Sequence, residues 1–176
     1  EDKGIRGIPR AFRGFVHAFR YNDVAALEEQ FDQYRGEVAA VVMEPFQCEL
    51  PRDGFLASVR DLAHRHGALV VFDEMITGFR WHNGGAQGYH RITPDLSAFG
   101  KALGNGFALS ALAGRREFMR LGGLDHDRPR VFLLSTTHGA ETHALAAGLT
   151  RPIEVTIEGG VDQPSRRVSQ PWRSGL

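Results

Sequence analysis

Val38-Ala39-Ala40-Val41-Val42-Met43 and Ala68-Leu69-Val70-Val71-Phe72 are two continuous apolar runs of strand length. Runs that are apolar at every position, not at alternate ones, fit strands buried on both faces, as in a parallel sheet. Between them Phe55, Leu56, Val59, Leu62 and Ala63 recur at helical spacing up to Gly67, after an irregular stretch punctuated by Pro45 and Pro51. Strand, helix and strand of these lengths make a βαβ unit with a right-handed crossover and a sheet covered on both faces. The fold class is α/β: a mostly parallel sheet with flanking helices.

Upstream, Val24, Leu27, Phe31 and Tyr34 form a second helical stripe after the turn and cap chemistry of Tyr21-Asn22-Asp23, and alternation over residues 15–19 predicts a strand before it. Downstream, residues 80–92 are rich in Gly, His and Asn and read as a loop. Residues 95–99 and 109–113 are two more short strand candidates around a tight turn at Gly104-Asn105-Gly106, and residues 131–135 a further one. Residues 141–149, with three alanines, read as a helix. From Arg151 onward Pro152, Pro164 and Pro171 interrupt a polar stretch with no helical stripe, so no structure is expected over residues 151–176.

Composition excludes several classes. The 176 residues are 42% hydrophobic and 24% charged, enough to build one large domain or a piece of something larger. Lys plus Arg and Asp plus Glu are 21 each, which leaves no field to draw in a nucleic acid or an anionic membrane. Cys48 is alone and cannot form an intramolecular disulfide, no apolar run approaches ~18 residues, and the first residues do not read as a signal peptide. A reducing, cytoplasmic setting is expected.

Of the 21 basic residues only Lys3 and Lys101 are lysines. Arginine stays protonated and cannot act as an amine nucleophile, whereas a desolvated lysine can. Lys101 follows the 95–99 strand and Gly100, and Asp73 directly follows the Ala68–Phe72 run, 28 residues earlier. In open α/β sheets ligands sit beyond the carboxyl ends of strands, so neighbouring strand ends would present an acid and an amine together. On residue chemistry alone Asp73 could hold a cation, coordinate a metal, accept a phosphoryl group or cap a turn.

These residues lie in segments that together resemble the class III, fold-type-I pyridoxal-phosphate (PLP) aminotransferases, especially the branch containing glutamate-1-semialdehyde aminomutase. The resemblance runs from about Gly7 to about Leu149. It is carried by Tyr21-Asn22-Asp23, Met43-Glu44-Pro45, Pro51-Arg52-Asp53-Gly54-Phe55-Leu56, the run from Val71 to Arg80 (Val-Phe-Asp-Glu-Met-Ile-Thr-Gly-Phe-Arg), the run from Pro94 to Gly106, and Ser135-Thr136-Thr137-His138-Gly139. Order and spacing, more than any one segment, give it specificity.

The resemblance implies that Lys101 forms the internal aldimine with the cofactor aldehyde and that Asp73 pairs with the pyridine nitrogen. A protonated ring nitrogen lets the ring accept the electrons released when a proton leaves the substrate carbon, and the freed Lys101 amine can carry that proton. It further implies that Thr137 reaches the cofactor phosphate from the other subunit of a homodimer, with Ser135 and Thr136 as alternatives in the same loop. Ordinary capping of the following helix is the competing reading of those hydroxyls. Met75 takes the position that packs on the ring, where valine is more usual, and Glu44 matches a glutamate near the site. Ile76 stands where many members carry a glutamine that contacts the ring hydroxyl. The substrates implied are a small-molecule amino donor and acceptor, and the resemblance does not separate aminomutase from transaminase.

Other signals carry less. Gly100-Lys101 is no P-loop, since Asp95 stands where the first glycine belongs and Ala102 replaces the Ser or Thr that binds magnesium. His64 with His66, and His138 with His143, lack the spacing of a metal pair on one helical face, so no metal is expected. A phosphoacceptor role for Asp73 lacks the upstream acidic pair. Family members are longer and carry an upstream phosphate loop, a ring-stacking aromatic residue and a C-terminal small domain. The expectation is that residues 1–150 are part of the PLP-binding large domain and that 151–176 are a divergent tail or a reading-frame slip with no domain assigned. Two functions remain open: PLP-dependent amino-group transfer, present here as a fragment lacking a complete site, or a catalytically silent remnant that only folds or dimerises.

Overall fold

Asp23 opens the first helix, α1 (Val24–Gln33), by accepting the Ala26 amide at 3.0 Å, the side-chain cap expected of an aspartate at that position. The computed structural model describes residues 8–123, 126–129, 131 and 137–149. After α1 come β1 (Ala40–Met43), α2 (Phe55–Arg65), β2 (Leu69–Asp73), α3 (Gly85–His90), β3 (Leu96–Phe99), β4 (Ala111–Gly114), α4 (Arg116–Met119) and α5 (Thr142–Leu149). Single 3-10 turns cover Arg10–Phe15, Lys101–Leu103 and Arg120–Gly122.

The two apolar runs are neighbouring parallel strands, with Ala40 opposite Leu69 and Met43 opposite Phe72. β3 adds in parallel on the far side of β2, pairing Val71 with Leu96 and Asp73 with Ala98. β4 returns antiparallel to β3, giving a mixed sheet in the order β1-β2-β3-β4. Three strands therefore end at one carboxyl edge, at Met43, Asp73 and Phe99.

The core lies between one face of β1 and β2 and the helices α1 and α2. Val41, Met43, Val70 and Phe72 meet Leu27, Phe31, Phe55, Leu56, Val59, Leu62 and Ala63 there. Burial of each of the larger side chains is worth about 1.5–3 kcal/mol. The end of α2 is closed by its own backbone: the Gly67 amide donates to His64 and the Ala68 amide to Ala63, with Gly67 at φ +75°. That left-handed turn is natural for glycine, and it delivers the chain straight into β2.

Four expectations are corrected. Residues 15–19 form no strand: Arg10–Phe15 is a 3-10 turn, and Phe15 and Val16 are exposed. Alternation makes a strand only where a partner takes up the backbone groups, and none does so among the described residues. The stretch read as a loop contains α3, and the strand expected over residues 109–113 is shifted to Ala111–Gly114. The sheet is not covered equally on both faces: Val42 is 66% exposed and all of β4 is exposed. An apolar residue is written in the sequence, but what covers it is not. The reading of residues 132–135 as strand lies outside the described residues, as does the tail from 151 onward.

Candidate active site

Asp73 is the last residue of β2, and the Glu74 amide prolongs the ladder by donating to the Ala98 carbonyl at 2.9 Å. The chain then turns. Asp73 Oδ1 accepts the Met75 amide at 2.9 Å, and the Gly78 amide donates to the Glu74 carbonyl at 2.8 Å. Asp73 keeps part of its surface open, while Glu74, one step along the strand, is fully buried on the face of Val70 and Phe72. Alternation of side chains along the strand separates the two carboxylates in this way.

β3 ends at Phe99, and Gly100 leads into Lys101. A Cβ on Gly100 would lie 2.5 Å from Met75 Cε and 2.8 Å from its Sδ, so the Met75 thioether rests on the residue before the lysine. A side chain at residue 100 would displace the thioether. Lys101 itself is exposed and has φ +45°. A left-handed conformation in a residue with a Cβ costs of order 1–2 kcal/mol, and strain of this kind concentrates at functional sites. The backbone is held there by the Leu103 amide on the Gly100 carbonyl at 3.0 Å and the Asn105 amide on the Lys101 carbonyl at 2.8 Å.

Two other segments frame the edge. Glu44 directly follows β1, half-buried, and so shares the carboxyl edge with Asp73 and Lys101. The loop that follows is strapped down by Tyr21, whose hydroxyl donates to the Pro45 carbonyl at 2.8 Å, and by Asn22. Asn22 donates to the Leu50 carbonyl at 2.9 Å and accepts the Arg52 amide at 2.8 Å. Burial, with the charge of Glu49 adding to it, pushes the Tyr21 hydroxyl up to about 12, so it remains a donor. Phe46 from this loop meets Trp81 at 4.7 Å, which joins the loops after β1 and β2.

Thr137 is exposed in the turn before α5. α5 packs on the segment after Lys101: the His143 ring meets Phe107 at 5.6 Å, and a Cβ at Gly148 would come within 2.7 Å of Leu109 Cδ2. Glu141 accepts from His138 at 2.9 Å, and His143 Nε2 lies 3.1 Å from its other carboxylate oxygen. The His138 hydrogen bond holds its carboxyl below the usual range. Asp73, Met75, Lys101 and Glu44 are thus brought to one edge, and Thr137 to the helix that leans on Lys101's own segment. Ser135 and Thr136 lie outside the described residues. Among the described residues no group of three His, Cys, Asp or Glu side chains is arranged to hold a metal.

Sequence reasoning missed the roles of Glu74 and Asn22. Glu74 had one readable signal: it continues the buried phase of Val70 and Phe72 with a carboxylate. Asn22 had none, because its partners lie about thirty residues away.

The mixed sheet with flanking helices is the fold of the fold-type-I PLP aminotransferases. The match to an omega-transaminase from Sphaerobacter thermophilus has a TM-score of 0.74 at 31% identity, over 81% of this chain and 33% of that one. An internal aldimine form, with PLP, of the FumI protein from a Sphingopyxis species matches at 0.70 and 30% identity, over 81% of this chain and 34% of that one. In sequence, residues 13–176 match aminotransferase class-III, and the chain belongs to that family. It is 37% identical over 172 residues to a glutamate-1-semialdehyde 2,1-aminomutase of Neisseria meningitidis, covering 93% of this chain and 38% of that protein. The chain therefore spans well under half the length of that relative.

Proposed function

We propose that the protein carrying this chain catalyses PLP-dependent amino-group transfer, as an aminotransferase or a 2,1-aminomutase acting on small-molecule amines. The observation that carries the reading is the emergence of Asp73 and Lys101 from neighbouring parallel strands at one carboxyl edge, with Met75 resting on Gly100 between them. The donor set fits the cofactor: an accessible amine, a carboxylate at a strand end and an apolar thioether. Bound there, PLP supplies an aldehyde that takes up amines and a ring that accepts electron density from the substrate carbon.

Lys101 Nζ would hold the cofactor, and its amine would serve as the acid or base that moves a proton at the substrate carbon. Asp73 would keep the ring nitrogen protonated, Met75 would pack on the ring, and Glu44 would border the site. Ile76, 44% exposed, offers the ring hydroxyl no hydrogen bond. Thr137 would donate to the phosphate across a homodimer interface. Residues 1–150 belong to the large, cofactor-binding domain, and the lone, unpaired Cys48 accords with the cytoplasm. No helix among the described residues is long and apolar enough to cross a membrane. The second reading, a silent remnant that only folds or dimerises, draws on the exposed face around Val42.

The test is borohydride reduction of the PLP-loaded protein in a chain of the relatives' length, followed by peptide mapping. The pyridoxyl adduct is expected on Lys101, and Lys101→Arg should abolish it because guanidinium is no nucleophile. An adduct on Lys3, or none, overturns the assignment.

A further inference from the structure

Glu74 is fully buried yet has no part in the reaction as derived. Its carboxylate takes the Thr77 hydroxyl, the Ala86 amide at 2.8 Å and the Gln87 amide at 2.8 Å. Ala86 and Gln87 open α3, whose own preceding residue, Gly84, supplies no side-chain cap. The free amides at the start of that helix are thus satisfied from twelve residues upstream. Gly85 makes this possible. It sits at φ +72°, and a Cβ there would lie 2.6 Å from Glu74 Oε1. The Glu74 backbone meanwhile closes the strand end on one side, through Ala98, and the turn on the other, through Gly78.

One residue therefore ties together β2, the turn over residues 73–78 and α3, and the turn is what orients Asp73 through the Met75 amide. We propose that Glu74 is the positioning residue for Asp73: its buried carboxylate fixes the turn whose Met75 amide holds the Asp73 carboxylate in one direction. The grip works by geometry. A carboxylate bonded to donors on residues 77, 86 and 87 clamps the turn over residues 73–78 between the strand end and α3. A freely hinged turn would let the Asp73 carboxylate swing, and a swing of about 1 Å is enough to weaken a catalytic contact severely.

The proposal rests on the reading of Asp73 as the partner of the ring nitrogen, but its test runs without cofactor. Amide hydrogen exchange is measured in the full 176-residue chain. Glu74→Gln replaces one acceptor oxygen by a donor, and should lower protection at Met75, Ala86 and Gln87 about tenfold or more relative to the β1 amides, the worth of a bond to a charged group. Should Glu74→Gln fail to fold, Thr77→Val decides. It removes one donor and leaves two, so Met75 should lose protection while Ala86 and Gln87 keep theirs, and Thr77→Ser should restore Met75. Unchanged Met75 protection in these variants, or a parallel fall at every amide, overturns the proposal. Normal turnover in Asp73→Asn would instead remove the functional reading and leave the exchange result standing.

Discussion

Asp73 carries the charge that the proposed chemistry needs, and Asp73→Asn isolates that charge because the amide keeps the shape and can still accept the Met75 amide. In a chain of the relatives' length, turnover should fall by at least about tenfold, the ~1.5 kcal/mol expected for a lost charge-assisted bond. Folding should change little, since Asp73 is only part-buried and its side-chain bond to the Met75 amide survives. Steady-state rates beside a urea melt check both halves. A rate within twofold of the parent would make Asp73 a turn-capping residue. Lys101 differs in kind: its backbone is strained at φ +45°, so the site spends stability on the placement of one amine.

At the scale of elements, the sheet is locked at the edge opposite the site by Asp95, 1% exposed. Its carboxylate accepts the Val70 amide at 2.7 Å, His64 Nε2 at 2.9 Å and Arg115 Nη1 at 2.9 Å, which joins α2, β2 and the end of β4. Desolvation pushes the Asp95 carboxyl up, but the bonds from Val70, His64 and Arg115 outweigh it and hold it below the usual range. A depressed carboxyl stabilises the fold above the ordinary value near pH 4, and the contribution fades as pH falls through the lower folded value. Asp95→Asn should cost about 1.5–3 kcal/mol at pH 7, the worth of a hydrogen bond to a charged group, and the gap from the parent should narrow below pH ~4. Urea melts at pH 7, 5 and 3 measure it; a gap independent of pH would mean that packing, not charge, is what Asp95 provides. The elements around this lock were legible in the sequence because β1 and β2 are apolar runs and α1 and α2 carry amphipathic stripes. α3 was not, since Gly-Ala-Gln-Gly-Tyr-His has no stripe and its first turn is satisfied by Glu74, a partner outside any local window. For the site, strand ends followed by Asp73 and Lys101 could be read directly. The groups that hold them could not, because a long-range hydrogen bond leaves no periodicity.

At the scale of the molecule, the sheet is lopsided. One face is sealed by α1 and α2, while on the other Val42 is 66% exposed, Leu112 is 47% exposed and Leu69, Val71 and Ala98 keep part of their surface open. Among the described residues β1 and β4 each pair on one side only, so apolar surface and unpaired strand backbone occur together. Both features favour pairing with another chain. The 176-residue chain should therefore self-associate, with an apparent mass in sedimentation that rises with concentration. Val42→Lys should reduce that association while leaving the melting midpoint of dilute protein nearly unchanged, because an exposed position away from any bond changes stability by only about 0.5 kcal/mol. Val41, on the sealed face and 4% exposed, is the control: Val41→Lys should unfold the chain instead of dispersing it. A parent chain that stays monomeric at every concentration would sink this prediction.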